Sequence, residues 1–315
     1  MNVGTAFEIA LAVLVLGLGV WTIAARETSA AVVGFVGYGL LIALVWVRLD
    51  AVDVALTEAA IGGGLSGVLM LGAAARLRTT EAQAAAERPG PFTRLSAALL
   101  SAMVAGALAG AVLFLPDPPP TLAPAAAENA AATGLGNPVT NVLMAFRAMD
   151  TLLEKVVLLL ALVGVWSLAP DRFFGGRPGS RHQADPRGAL AFVARLLPPI
   201  GIVVGAYVFW VSADYPGGAF QGGTILAAMW LLVIMAGLAD APPICRRWLR
   251  LVLIAGPAIF LLVGLGGLWL GDAFLAYPPA YAKPIILAIE VAMMLTIAAT
   301  LGLLMAGAPE RSAQP

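Results

Sequence analysis

Nine stretches of about 20 predominantly apolar residues follow one another along this chain, and that is the length a helix needs to cross the hydrocarbon of a bilayer. They run over residues 5–25, 30–49, 54–75, 95–115, 151–169, 190–212, 221–239, 248–270 and 284–306. Lipid offers nothing to satisfy an exposed backbone, so each stretch is expected to be helical. The expected fold class is all-α: a polytopic membrane protein of about nine transmembrane helices. Composition agrees, because only 11% of the 315 residues are charged, against about 25% in a soluble domain.

The few charged and reactive residues exclude several functions. Eighteen basic and 18 acidic side chains cancel, so there is no basic field for nucleic acid, and none is expected as a partner. The single cysteine, Cys245, excludes an intrachain disulfide, a cysteine zinc site and a cysteine-held iron–sulfur cluster. The single histidine, His182, excludes a bis-histidine haem. No cofactor is expected. No span offers a histidine pair, a serine–histidine set or paired aspartates, so an intramembrane enzyme is disfavoured.

Basic residues gather in alternate links. Arg26, Arg76, Arg78, Arg88, Arg94, Arg172, Arg177, Arg181, Arg187, Arg195, Arg246, Arg247, Arg250 and Arg311 fall on one side. Arg48, Arg147, Lys155 and Lys283 fall on the other. The positive-inside rule then places the N-terminus outside and the C-terminus in the cytoplasm. The first apolar run has neither a basic lead nor a small-residue cleavage site, so it is expected to be a retained helix. The abundance of Arg, Ala, Gly and Pro suggests a GC-rich bacterial genome, and a bacterial inner-membrane location.

Three blocks are expected: 1–80 with three helices, 81–187 with two, and 188–315 with four. The second contains an outside segment, Pro116-Asp117-Pro118-Pro119-Pro120 followed by an alanine-rich run, which reads as an extended linker. No internal repeat supports an inverted-repeat carrier.

Ionisable groups within spans are costly and mark function by default. Glu58 lies early in the third span, in line with Gly62 and Ser66, a small-residue stripe suited to close packing. It reads as a proton-relay carboxylate or, alternatively, as a hydrogen-bonded packing group. Arg147, Asp150 and Glu154 share one helical face beside Lys155. They read as a charged node on an ion path or as an interfacial anchor, with 141–150 forming a short surface helix. Lys283 and Glu290 are two turns apart on the last span; Lys283 can snorkel to the interface, whereas Glu290 is deeper. Glu8 reads as interfacial. Asp214, Pro216, Gly217, Gly218, Gly222 and Gly223 form a glycine-rich link between spans six and seven, either a re-entrant element or a very short turn.

Three segments carry a family resemblance. The first block, through Asp53-Val54-Ala55-Leu56-Thr57-Glu58-Ala59-Ala60-Ile61-Gly62, resembles the D-type module shared by membrane-bound hydrogenases and the C-terminal part of the large MnhA-type protein of Mrp/Mnh antiporters. Phe146-Arg147-Ala148-Met149-Asp150-Thr151-Leu152-Leu153-Glu154 resembles the next, E-like module. Pro216-Gly217-Gly218-Ala219-Phe220-Gln221-Gly222-Gly223 resembles the signature of the four-helix MnhB-type protein, with Ala219 in place of a third glycine. Their order is that of such operons, so the chain looks like a fusion of the MnhA-type tail with an MnhB-type protein. The resemblance implies a membrane component of a multisubunit Na⁺/H⁺ antiporter, partnered by other antiporter subunits in the bilayer. It implies roles in ion movement for Glu58 and Glu154. The large antiporter-like half of that family, with its lysine-bearing broken helices, is absent from these segments, so this chain alone is not expected to transport. Two alternatives remain at this point: a component of a redox-driven complex such as an energy-converting hydrogenase, and a purely structural scaffold.

Overall fold

The computed structural model describes residues 3–84, 90–180, 182 and 184–313. Arg88 and Arg181, and the side chains of Arg76 and Arg78, lie outside what is described. Among the described residues the chain is almost wholly helical, and each of the nine expected spans coincides with a helix. The first block holds α1 (Val3–Ala24), α2 (Thr28–Arg48) and a composite third helix. That third helix consists of α3 (Val52–Thr57), a π-helical segment (Glu58–Leu65) and α4 (Ser66–Ala84). α5 (Pro91–Leu113), α6 (Ala123–Asn129), α7 (Pro138–Asn141), a second π segment (Val142–Phe146) and α8 (Ala148–Ser167) follow. The last block holds α9 (Ala189–Trp210), α10 (Ala219–Met235), α11 (Arg247–Leu270) and α12 (Ala282–Ala306).

Seven of these helices are long and apolar enough to cross a membrane. The other two expected spans depart for definite reasons. α8 carries Asp150, Glu154 and Lys155, and α10 has only 17 residues. Their surroundings make up for both departures, because each packs on α12.

α12 is apolar on every side, as a helix at the centre of a bundle must be. Ile286, Ile289, Ile297 and Leu303 are fully buried there, with α8, α10 and α11 around them. Glycines set the closest approaches. A side chain at Gly222 would begin 2.7 Å from the Gly205 carbonyl oxygen of α9, and one at Gly223 would begin 2.9 Å from that of Met294 on α12. A methyl at Gly39 of α2 would sit 2.9 Å from the backbone nitrogen of Gly63. Small residues at crossings replace the hydrophobic driving force that is missing in lipid. Gly62-Gly63-Gly64 also explains the π segment, since consecutive glycines weaken the α-helical ladder and let it widen.

Pro257 interrupts α11, and one residue before it α12 crosses over. The Thr296 hydroxyl of α12 accepts from the Gly256 N–H at 2.9 Å and donates to the Val252 carbonyl at 2.7 Å. A Thr296→Val chain keeps the shape and loses both bonds. It is expected to unfold about 1–2 kcal/mol more easily in a denaturant titration in micelles, with Thr296→Ser close to wild type.

Two expectations are corrected. The alanine-rich run after the prolines is not extended, because Ala123–Asn129 forms α6 once the proline cluster has ended. Residues 141–150 are not a surface helix. Thr140, Asn141 and Met144 are buried, and the π segment breaks the helix at Arg147. The Thr151 hydroxyl binds the Leu143 carbonyl at 2.6 Å, across that break. α5 stands apart: none of its residues is buried.

Contacts between links tie each end of the bundle together. At one end, Glu8 pairs with Arg48 at 2.7 Å, as suits an interfacial glutamate, and Asp214 pairs with Lys283. At the other, Arg177–Pro178 (β1) pairs with Pro309–Arg311 (β2), and Arg311 pairs with Asp240 at 3.0 Å.

Candidate functional site

The glycine-rich link resolves as a tight turn and not as a re-entrant element. α9 ends at Trp210, one turn of 3₁₀ helix covers Val211–Ala213, and α10 begins at Ala219. Gly217 has φ +156° and its α-carbon faces the Val208 carbonyl, where an added methyl would sit at 2.1 Å. No side chain fits there. Gly222 and Gly223 belong to α10, where they serve the helix crossings described above.

Successive residues of this turn touch polar groups from all three blocks. The Gly217 N–H donates to Asp53 Oδ1 at 2.9 Å. The Ala219 N–H, at the start of α10, faces the Glu290 carboxylate of α12. The Phe220 ring lies 4.5 Å from Lys155 Nζ of α8, a cation–π contact. Gln221 Nε2 donates to the Asp53 carbonyl at 3.3 Å and to the Thr57 hydroxyl at 3.1 Å.

Lys155 and Glu290 are among the most enclosed charged side chains, at 4% and 5% exposure. Lys155 pairs with Glu154 at 2.7 Å, and Glu154 is half-exposed. Lys155 also interacts electrostatically with Glu290. Glu290 Oε2 accepts from the Ser212 hydroxyl at 3.1 Å, and the Ser212 carbonyl in turn accepts from the Thr140 hydroxyl at 2.8 Å. A line of polar groups therefore runs Glu154, Lys155, Glu290, Ser212, Thr140. Its members come from α8, α12, the turn and α7. A carboxylate in such a line can alternate between a protonated form and one paired with a cation, which is the least that ion exchange requires.

The other expected residues are distributed around this line. The anticipated node of Arg147, Asp150 and Glu154 is divided. Arg147 pairs with Asp150 at the exposed start of α8, while Glu154 turns to Lys155. The division follows from the helix break at Arg147, whose φ of −126° takes it out of the α8 register. Lys283 does not share a site with Glu290. It pairs with Asp214 at 2.8 Å, outside the core. That lysine holds the Asp214 carboxyl below the usual aspartate range. A depressed carboxyl stabilises the fold above its ordinary titration range and loses that effect as pH falls through its lowered value. Asp214→Asn is therefore expected to lower the thermal midpoint at neutral pH, with the difference vanishing in strong acid.

Glu58 opens the first π segment, half-buried, with its carboxylate folded over Gly62; a methyl at Gly62 would lie 2.0 Å from Oε1. The π segment thus keeps Glu58 beside Gly62 but breaks the regular spacing towards Ser66. Among the described residues no ion pair or hydrogen bond of Glu58 is present, and its neighbour Thr57 meets Gln221.

Sequence reasoning missed Asp53, Asn137, Ser212, Phe220 and Gln221. Asn137 caps α7 by accepting from the Val139 N–H at 2.9 Å, and donates to the Tyr215 carbonyl at 3.0 Å and to Asp53 at 3.4 Å. Asp53 carried one visible signal, an acid at the mouth of an apolar run. Phe220 and Gln221 stood within the glycine-rich signature but were given no role of their own, and Asn137 and Ser212 carried no signal.

Comparison with known proteins finds two family models along the chain. Residues 13–79 match the model of MbhD, the D component of MBH, and residues 189–308 match that of a domain related to the MnhB subunit of a Na⁺/H⁺ antiporter. A probable K⁺/H⁺ antiporter protein of Rhizobium meliloti, of combined A/B type, is 27% identical over 283 residues, covering 78% of this chain and 28% of the relative. An uncharacterized protein of Methanocaldococcus jannaschii is 25% identical over 154 residues, covering 44% of this chain and 59% of its own length. This chain therefore spans less than a third of the antiporter relative. A chain of the Mrp complex from Dietzia sp. DQ12-45-1b shares the fold over 97% of this chain and 35% of its own, with TM-score 0.72 and 24% identity. A chain of an archaeal membrane-bound sulfane sulfur reductase shares it over 67% of this chain and 98% of its own, with TM-score 0.52 and 24% identity.

Proposed function

We propose that this Mrp-type fusion, an MbhD module joined to an MnhB-related domain, works as a membrane component of a multisubunit monovalent cation/proton antiporter in the bacterial inner membrane. Its three blocks bring Glu58, Glu154, Lys155 and Glu290 into one protein and dock the remaining antiporter subunits. Arg147–Asp150 and Asp214–Lys283 stand at the exposed margin of the ion path. One observation carries the reading. A lysine and a glutamate sit almost fully enclosed in a membrane bundle, interact with each other, and lead to a half-exposed carboxylate at Glu154. A scaffold of this size has no need of such costly groups.

The relatives' names divide between Na⁺ and K⁺, so the cation is left to experiment. Everted vesicles carrying the complete set of subunits should lose their pH gradient on addition of NaCl or KCl. Deleting this chain should abolish that loss. Exchange that persists without the chain overturns the reading. A second reading, a component of a redox-driven pump, draws on the fold shared with nearly the whole of the sulfane sulfur reductase chain. In that case exchange would require an electron donor and acceptor.

A further inference from the structure

We propose that Asp53 is a positioning residue for Glu290, acting through the backbone of the turn between α9 and α10; this rests on Glu290 carrying ions. Asp53 is 7% exposed and belongs to a different block from Glu290. Among the described residues its carboxylate has no lysine or arginine partner. It accepts from two neutral donors, the Gly217 N–H at 2.9 Å and Asn137 Nδ2 at 3.4 Å, both on Oδ1. Its own carbonyl accepts from Gln221. The turn is therefore gripped at Gly217 and again at Gln221. Between these grips lies Ala219, whose N–H opens α10 and faces the Glu290 carboxylate. A helix N-terminus favours a negative charge there.

Gly217 fixes the geometry from the other side. Its α-carbon lies against the Val208 carbonyl so closely that no side chain is admitted. The turn is held between α9 and Asp53 and has no slack. A displacement of Asp53 is thus passed along the turn, over two residues to the Ala219 N–H that faces Glu290 and back to Ser212, whose hydroxyl donates to Glu290 Oε2 at 3.1 Å. Among the described residues Asp53 makes no hydrogen bond or ion pair with Glu290 or Lys155, so its role is placement and not proton carriage. By this route the first block sets the environment of a carboxylate in the last.

The test uses the complete complex, with Asp53→Ala and Asp53→Asn made alone and with Glu290→Asp, and with Glu290→Gln made alone. Two quantities are read: maximal cation/proton exchange in vesicles, and the carboxyl band of Glu290 in infrared difference spectra of the purified complex. Asp53→Ala is expected to lower maximal exchange on the order of tenfold to a hundredfold, without changing the cation concentration for half-maximal rate. It should also shift the Glu290 band. Asp53→Asn keeps an acceptor for Gly217 and should restore most of the rate and the original band. In Glu290→Asp, whose shortened carboxylate exchanges measurably but no longer reaches the donors of the turn, adding Asp53→Ala should cause no further fall.

If Asp53→Asn is as inactive as Asp53→Ala, Asp53 carries charge itself and the proposal fails. It fails also if Asp53→Ala leaves rate and band unchanged, or if the two substitutions act additively. If Asp53→Ala does not assemble, Asp53→Ser, too short to reach Gly217, takes its place with the same outcomes. Wild-type exchange in Glu290→Gln would instead refute the ion-path reading, while the band shift would still report the linkage between the two residues.

Discussion

Lys155→Met is expected to cut cation-driven proton exchange by at least about tenfold while the complex still assembles. Methionine occupies a similar volume and packs against Phe220 without a charge. The volume of the core is preserved, so the bundle around α12 should survive. What disappears is a buried cation that interacts with both Glu154 and Glu290. Arginine is not an equivalent substitute at this position, because its broad planar head must be packed where the lysine is already 4% exposed. Lys155→Arg should therefore also lower exchange, with part of the loss due to packing. Native gels beside vesicle assays separate the two effects. If Lys155→Met exchanges at the wild-type rate, the lysine is a structural counter-charge and the line from Glu154 to Thr140 is not a path.

Gly217→Val is expected to act at the level of the fold. An added side chain would begin 2.1 Å from the Val208 carbonyl oxygen, and a β-branched residue also disfavours φ +156°. Neither side of the turn can give way, since Asp53 holds one and α9 forms the other. Overpacking of this kind typically costs ~1–3 kcal/mol, with backbone strain in addition. The expected result is loss of assembled complex on native gels, with the three blocks failing to associate. Gly218→Ala is the control. Its nearest neighbour is the amide end of the Gln221 side chain, which can shift at the expense of its bonds to Asp53 and Thr57. Assembly should be retained there, with exchange partly reduced.

The spans were legible because lipid imposes one rule on every segment, an apolar run of sufficient length with its backbone bonded internally. By that rule the charged α8 and the short α10 are also read as spans, whereas seven other helices are long and apolar enough to cross a membrane. The rule carries no information on which helix faces reach each other. Glu154, Lys155 and Glu290 stand out as ionisable residues in apolar runs, but their meeting depends on the helix break at Arg147 and on the placement of α12. The first π segment was hidden, since three glycines in a row permit widening of the ladder without requiring it, and the second, Val142–Phe146, has no glycine to mark it. Lys283 and Glu290 share a helix face in sequence and part in space, because the Asp214 turn draws the lysine away from the core. Asp53 was passed over because an acid at the end of a span is ordinarily interfacial. Its burial is a consequence of the Gly217 turn folding over it.

The most direct test of an ion-carrying carboxylate in this joint is the exchange rate of the complete complex with Glu290→Gln beside Glu290→Asp. Glutamine keeps the size of the side chain and an acceptor for Ser212, and it cannot take up or release a proton. Aspartate keeps the titrating group at a shorter reach. The account predicts assembled complexes in both cases, with exchange abolished by glutamine and reduced but measurable with aspartate. Wild-type exchange in Glu290→Gln would contradict it.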